Sequence, residues 1–175
     1  EYPCVVTASS GDDGITLSAA AQTADAEGDG ALSRAAAEAE FKAKSGSSLV
    51  VRGAKGTVIL IGSDVELDAG KDAETLGGKI FGAMSSAGLS TANFYLDAAA
   101  EVLADLAHGA HLASYVFKDY FTKGEQAKIK EQSLVIHADA AADAEKAYGA
   151  RAELAEGVFL ARDLITEPAN KLYPE

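Results

Sequence analysis

The stretch that most constrains the fold is residues 57–62, T-V-I-L-I-G, where Val58, Ile59, Leu60 and Ile61 follow one another without a polar break. Side chains along a strand alternate between its two faces, so four apolar residues in a row make both faces apolar. Such a strand belongs inside a sheet with helices on both sides. Residues 48–52 (S-L-V-V-R) precede it across Gly53-Ala54-Lys55-Gly56, which is hairpin spacing. A hairpin within a helix-covered sheet predicts a mixed sheet, not a purely parallel one.

The rest of the chain alternates in the same way. Residues 4–8 (C-V-V-T-A) read as a short strand ending in the turn-forming run Ser9-Ser10-Gly11-Asp12-Asp13-Gly14. Residues 16–26 and 29–42 are Ala-rich and helix-prone, with a break at Gly28-Asp29-Gly30. A helix is predicted over 71–87, with Leu76, Ile80 and Met84 at i, i+4, i+8 and Gly88 as its stop. Residues 91–96 and 132–137 read as strands. Between them a helix over 98–117 would bury Leu103, Leu106, Ala110, Ala113 and Phe117, leaving Glu101, Asp105 and His108 on the wet face.

The last helix is expected from Asp139, a good N-cap type, to about Ile165, with Pro168 beyond it. It carries two apolar rows: Tyr148, Ala152, Ala155 and Phe159, then Leu154, Val158, Ala161 and Ile165. Two rows imply burial on two sides, one against this domain and one against something beyond it. The element order points to an α/β sandwich of three layers.

At 175 residues the chain suits one domain, and no apolar run approaches the ~20 residues of a membrane-spanning helix. The start, Glu1-Tyr2-Pro3-Cys4, has no basic or hydrophobic region of a signal peptide. A single cysteine, Cys4, rules out an internal disulfide framework and reads as a buried structural thiol. Twenty-seven acids against 15 bases give a net charge of −12, which disfavours nucleic acid and anionic lipid.

Catalytic patterns are scarce. No P-loop or G-x-G-x-x-G occurs, and Gly77, Gly78 and Gly82 read as close helix packing on the sheet. His108 and His111, with Asp105 and Glu101 one and two turns back, have helical spacing for a metal. The spacing is not H-E-x-x-H, and a solvated face is the stronger reading. His137 has no visible partner. Lys118, Lys123, Lys128 and Lys130 interleave with Tyr115, Phe117, Tyr120 and Phe121, a pattern that serves nucleic acids, but Asp119, Glu125 and Glu131 dilute it.

The C-terminal residues 155–170, A-E-G-V-F-L-A-R-D-L-I-T-E-P-A-N, followed by Leu172-Tyr173-Pro174-Glu175, closely resemble the junction helix of the leucyl (cytosol) aminopeptidases, which reads A-R-D-L-x-N-E-P-A-N. Thr166 stands where that family has Asn. Residues 109–123 resemble its G-x-x-L-x-x-Y-x-F-D-x-Y-K-T stretch, with Lys118 and Asp119 swapped and Phe121 in place of Lys. Residues 54–62 resemble its A-K-R-V-L-L-V-G strand, and residues 30–41 its G-x-L-S-R-A helix.

The resemblance implies a two-domain metallo-aminopeptidase. Its smaller N-terminal domain is α/β and macro-domain-like. Its larger domain holds two divalent metals (zinc, manganese or magnesium) and an N-T-D-A-E-G-R motif absent from these residues. The implied layout is residues 1–165 as the N-terminal domain and 166–175 as the start of a linker. The chain would start after a strand the family usually has ahead of Cys4. No catalytic, cofactor-binding or metal residue is expected here. The implied partners are the chain's own catalytic domain, a homo-oligomer (hexamers in the family) and peptide substrates of the parent, in the cytoplasm. The alternative is a stand-alone macro-like module binding ADP-ribose or a nucleotide at its strand ends. DNA binding, shown by some relatives, is opposed by the charge.

Overall fold

A computed structural model describes residues 2–11, 14–63, 67–117 and 131–168. The elements, in order, are β1 (Cys4–Gly11), β2 (Gly14–Leu17), α1 (Ala19–Glu27), α2 (Ala31–Glu38), β3 (Ser48–Gly53) and β4 (Gly56–Gly62). Then follow α3 (Lys71–Ala87), β5 (Thr91–Tyr95), α4 (Ala100–Ala113), β6 (Ser133–His137) and α5 (Ala141–Thr166).

The apolar run of β4 does what its pattern requires. Ile59 and Ile61 enter one core with Val5, Phe94, Ile80 and Leu106, while Val58 and Leu60 enter a second core with Val6, Ala21 and Leu32. Helices α3 and α4 cover the first face and α1 and α2 the second, giving the three-layer α/β sandwich. Full burial of each such side chain contributes about 1.5–3 kcal/mol. The sheet order is β3-β4-β1-β5-β6, with β2 paired to the end of β1. Strands β4, β1, β5 and β6 run parallel, while β3 and β2 are antiparallel to their neighbours, so the sheet is mixed as the hairpin predicts.

Several boundaries differ from expectation. Residues 14–17 form β2, so the helix expected from residue 16 does not begin there, because these residues pair with Ala8 to Gly11. Helix α1 starts only after Ser18, whose hydroxyl accepts from the Ala21 N–H. Helix α2 ends at Glu38, short of 42, where Glu40 and Ala43 turn to positive φ. Helix α4 stops at Ala113, leaving Phe117 beyond it, and Ala113 itself is exposed. Asp139 does not cap α5: Ala140 occupies the N-cap, and no side chain caps that end.

The glycines also act differently from expectation. A Cβ on Gly77 would collide with the Leu106 carbonyl, and one on Gly109 with the Glu74 carbonyl. The close approach is therefore between α3 and α4, helix on helix. Nothing lies within 4 Å of a Cβ built on Gly82.

Candidate functional site

Helix α4 has few polar groups with inward placement, and they were expected to be wet. Asp105 is only 6% exposed and His108 4% exposed. The correction follows from α5, which packs over the side of α4 that the apolar stripe alone leaves open. Arg151 of α5 donates through Nε to Asp105 Oδ1 at 2.5 Å and through Nη2 to Glu101 Oε2 at 2.7 Å. Asp105 Oδ2 accepts the Gly70 N–H at 2.6 Å, at the N-cap of α3. One buried carboxylate thus ties α3, α4 and α5 together. Hydrogen bonds to Glu101 and then Asp105 hold the Arg151 guanidinium above its ordinary pKa.

His108 and His111 do not converge. Tyr148 Oη lies 2.8 Å from His111 Nδ1, and Glu156 Oε1 lies 3.6 Å from His111 Nε2. Burial, and next the charge of Glu156, push the Tyr148 hydroxyl up. His108 Nδ1 is buried without a hydrogen-bond partner among the described residues. Among those residues, no three His, Cys, Asp or Glu side chains are grouped to hold a metal ion. The donor set among the described residues does not fit a pair of divalent metals, which the resemblance assigns to the larger domain.

Cys4 is buried, and burial pushes its thiol up. His137, expected to be alone, has partners. Its ring stacks on Tyr95 with centroids 4.6 Å apart, and its Nε2 lies 2.9 Å from Asn93 Oδ1. The Asn93 amide nitrogen donates to Pro3 O at 3.4 Å, which turns Oδ1 toward the histidine. Of the Lys-aromatic cluster, Lys118, Tyr120, Phe121, Lys123, Lys128 and Lys130 lie outside the described residues.

A large hollow lies at the carboxyl ends of the parallel strands. It measures about 720 Å³ and is lined by Thr7 within β1, Tyr95 at the end of β5 with Asp97 beyond it, and His137 at the end of β6 with Asp139 beyond it. A second hollow of about 550 Å³ shares Thr7, Ser18, Leu96 and Asp97 with it. Among the described residues, no Lys or Arg lines either one. The position follows from topology. Strand β1 continues through α1 on one face of the sheet, whereas its parallel neighbour β5 continues through α4 on the other. A crevice opens where such connections diverge. Asp97 had not stood out in the sequence. A signal existed: Tyr95-Leu96-Asp97 and His137-Ala138-Asp139 repeat an aromatic-x-Asp pattern at two strand ends.

The outer side of α5 is the other unpaired feature. Leu154 and Leu160 are each 60% exposed and Ile165 is 85% exposed, while Ala155 on the inner row is fully buried. Phe159 meets His111 edge-on at 5.1 Å and Tyr115 at 5.3 Å. Of the expected second row, Leu154, Ala161 and Ile165 are exposed and Val158 is half-buried; Leu160 and Leu164, outside that row, are exposed as well. No helix among the described residues is long and apolar enough to cross a membrane.

Comparison with known proteins places the whole arrangement. The profile of the cytosol aminopeptidase family, N-terminal domain, matches residues 5–124. A probable cytosol aminopeptidase of Caulobacter vibrioides is 37% identical over 93% of this chain and 34% of its own length. One of Methylorubrum extorquens is 35% identical over 94% of this chain and 35% of its own length. The chain therefore spans about a third of the length of these relatives. In structure, a tomato leucine aminopeptidase mutant superposes with a TM-score of 0.77 at 21% identity, covering 98% of this chain and 36% of that one. The bottromycin maturation enzyme BotP in complex with Mn does so at 0.65 and 19% identity, covering 98% and 33%. These likenesses share the fold seen here. The chain belongs to the cytosol aminopeptidase family, as its N-terminal domain.

Proposed function

We propose that this domain is the non-catalytic arm of a cytoplasmic, metal-dependent aminopeptidase that removes N-terminal, Leu-like residues from peptides. Peptide hydrolysis and the divalent metals (zinc, manganese or magnesium) belong to the length of the relatives that this chain does not span. Residues 1–165 form the arm and 166–175 begin the linker. The arm contributes to packing on the catalytic domain, to substrate access and to assembly of an oligomer, a hexamer in the family.

The observation that carries this reading is the outer row of α5. A helix of 26 residues is about 39 Å long. It buries one row on α4 and leaves Leu154, Leu160, Leu164 and Ile165 open. A row of that kind fits a neighbour lying against the far side of the helix. The nucleotide alternative gains no support, because among the described residues the strand-end hollows are lined by acids and by no base to meet a phosphate.

The test joins residues 1–175 to the catalytic portion of the Caulobacter vibrioides relative. The joined protein is expected to cleave a leucine chromogenic substrate with manganese added, while the 175-residue chain alone is not. Turnover by the chain alone that survives repurification overturns the reading. So does a joined protein unaffected by Leu160→Glu and Ile165→Glu together.

A further inference from the structure

The two segments that carry the strongest sequence resemblance, residues 109–123 and 155–170, meet in one cluster at the far end of α5. The first contributes Leu112 and Tyr115, the second Phe159, Arg162 and Asp163. We propose that Tyr115, Arg162 and Asp163 form a clip that holds the last two turns of α5 helical beyond the end of α4, and so presents Leu160, Leu164 and Ile165 as a preformed docking surface. They are positioning residues, and their role rests on the reading of α5 as the helix that meets a neighbour.

The need for a clip follows from the lengths of the two helices. Arg151 ties α5 to Glu101 and Asp105, and further along His111 meets Glu156 and Phe159, so α4 and α5 run in the same direction. From Arg151, α5 continues to Thr166, about 22 Å. From Asp105, α4 continues only to Ala113, about 12 Å. The end of α5 therefore overhangs α4 by about 10 Å, roughly two turns. The last carbonyls of a helix have no partner within it, and an end with nothing packed on it frays.

Tyr115 lies just past the end of α4, under this overhang. Its hydroxyl donates to Asp163 Oδ1 at 2.7 Å. Desolvation, and next the bond to Asp163, push that hydroxyl above its ordinary pKa, so it keeps its proton and stays a donor. The Tyr115 ring lies 5.2 Å from the Arg162 guanidinium, within cation–π reach, and 5.3 Å from the Phe159 ring. Arg162 also donates through Nη1 to Leu112 O at 3.3 Å, in the last turn of α4. The Ser114 N–H already serves Ala110 O, and its hydroxyl serves His111 O. Arg162 thus extends the cap of α4 from a different helix, and its charge suits that C-terminus.

The same two turns carry both functions. Arg162 and Asp163 reach back to α4 and Tyr115, while Leu160, Leu164 and Ile165 are open on the outside. Ordering a frayed helix end at the moment of docking weakens docking. A clip that orders it beforehand removes that penalty and fixes the direction in which the chain leaves α5.

Amide hydrogen exchange of the whole chain tests the clip. Tyr115→Phe together with Arg162→Ala should lower protection about tenfold at residues 160–166 and leave residues 143–152 unchanged. Asp163→Asn, which keeps an acceptor for the Tyr115 hydroxyl, should stay within about twofold of the native chain, whereas Asp163→Ala should not. Unchanged protection at 160–166, or an equal loss along all of α5, overturns the proposal. In the joined protein the Tyr115→Phe, Arg162→Ala pair should lower turnover of the leucine substrate. Adding Leu160→Glu and Ile165→Glu should then lower it by less than about twofold more, because clip and row act through one surface. Fully additive losses overturn the proposal as well. A selective loss of protection beside a joined protein indifferent to Leu160→Glu and Ile165→Glu sinks the docking reading. Unchanged protection beside a sensitive joined protein sinks the clip alone, so the two fail separately.

Discussion

Helix α4 meets α3 through glycines and meets α5 through charges and rings. At the first seam, Gly77 and Gly109 let each backbone touch the other, and the flanking Leu76, Ile80 and Leu106 are buried. At the second, Arg151 spans Glu101 and Asp105, and His111 lies among Tyr148, Glu156 and Phe159. A seam of backbone contacts tolerates one geometry. A seam of long polar side chains and tilted rings can be adjusted, and it leaves the far side of α5 free for a neighbour. The contrast suggests that α3 and α4 belong to the domain body and that α5 is fastened to it.

The comparison can be broken first at the glycines. Gly77→Ala and Gly109→Ala should each destabilise the chain by about 3 kcal/mol, since backbone must move to admit a methyl group. Urea unfolding followed by circular dichroism measures this; a change under about 0.5 kcal/mol would mean the helices slide apart freely.

Next comes Asp105. Asp105→Ala leaves the Arg151 guanidinium and the Gly70 N–H without their acceptor, at an expected cost of about 2–3 kcal/mol. Glu101→Ala removes a partner that is 64% exposed and should cost less than about 1 kcal/mol. Equal effects from the two variants would show that the buried carboxylate does not organise the three helices.

The two rows of α5 give a third comparison. Phe159→Ala should cost about 1–2 kcal/mol through lost ring contacts. Leu160→Glu, one residue along, should change stability by no more than about 0.5 kcal/mol, because that side chain is exposed in this chain. Thermal melts of the pair decide it, and a larger effect from Leu160 would mean that the outer row is already covered by another part of the molecule.

How much of this was legible in the sequence depends on the kind of signal. The run at 58–61 needed only the alternation of a strand, so the mixed, helix-covered sheet and the hairpin could be read directly. The helix over 71–87 was legible to the residue because its apolar spacing is unbroken and Gly88 turns to φ 74° to end it. Residues 14–17 were not, since a short strand beside an Ala-rich run depends on pairing with β1, which is nonlocal. The burial of Asp105 and His108 failed for a similar reason. A helical stripe shows which face is apolar, not that a later helix will cover the polar one with an arginine. The second row of α5 was readable as surplus, because a domain of this size cannot use two apolar faces of one long helix. The crevice was hidden by its dependence on strand order.

A third seam, between α1 and α2, sharpens the contrast by adding pH. Burial pushes the Asp25 carboxyl up, but hydrogen bonds from the Ser33 hydroxyl and N–H outweigh it and hold the group below its ordinary range. A carboxylate with a depressed folded pKa contributes stability that is present above its unfolded pKa. That stability is lost as pH falls through the folded value. Ser33→Ala should therefore lower stability by less than about 1 kcal/mol near neutrality. The gap between variant and native chain should close as both are acidified below the ordinary carboxylate range. The clash in Gly109→Ala is with the Glu74 backbone carbonyl and removes no contact to a titrating side chain, so its deficit should persist over the same interval. Urea midpoints at neutral and acid pH separate the two behaviours. A Ser33→Ala deficit that stays constant in acid would place the α1–α2 contact with the glycine seam, as packing without a proton-linked part.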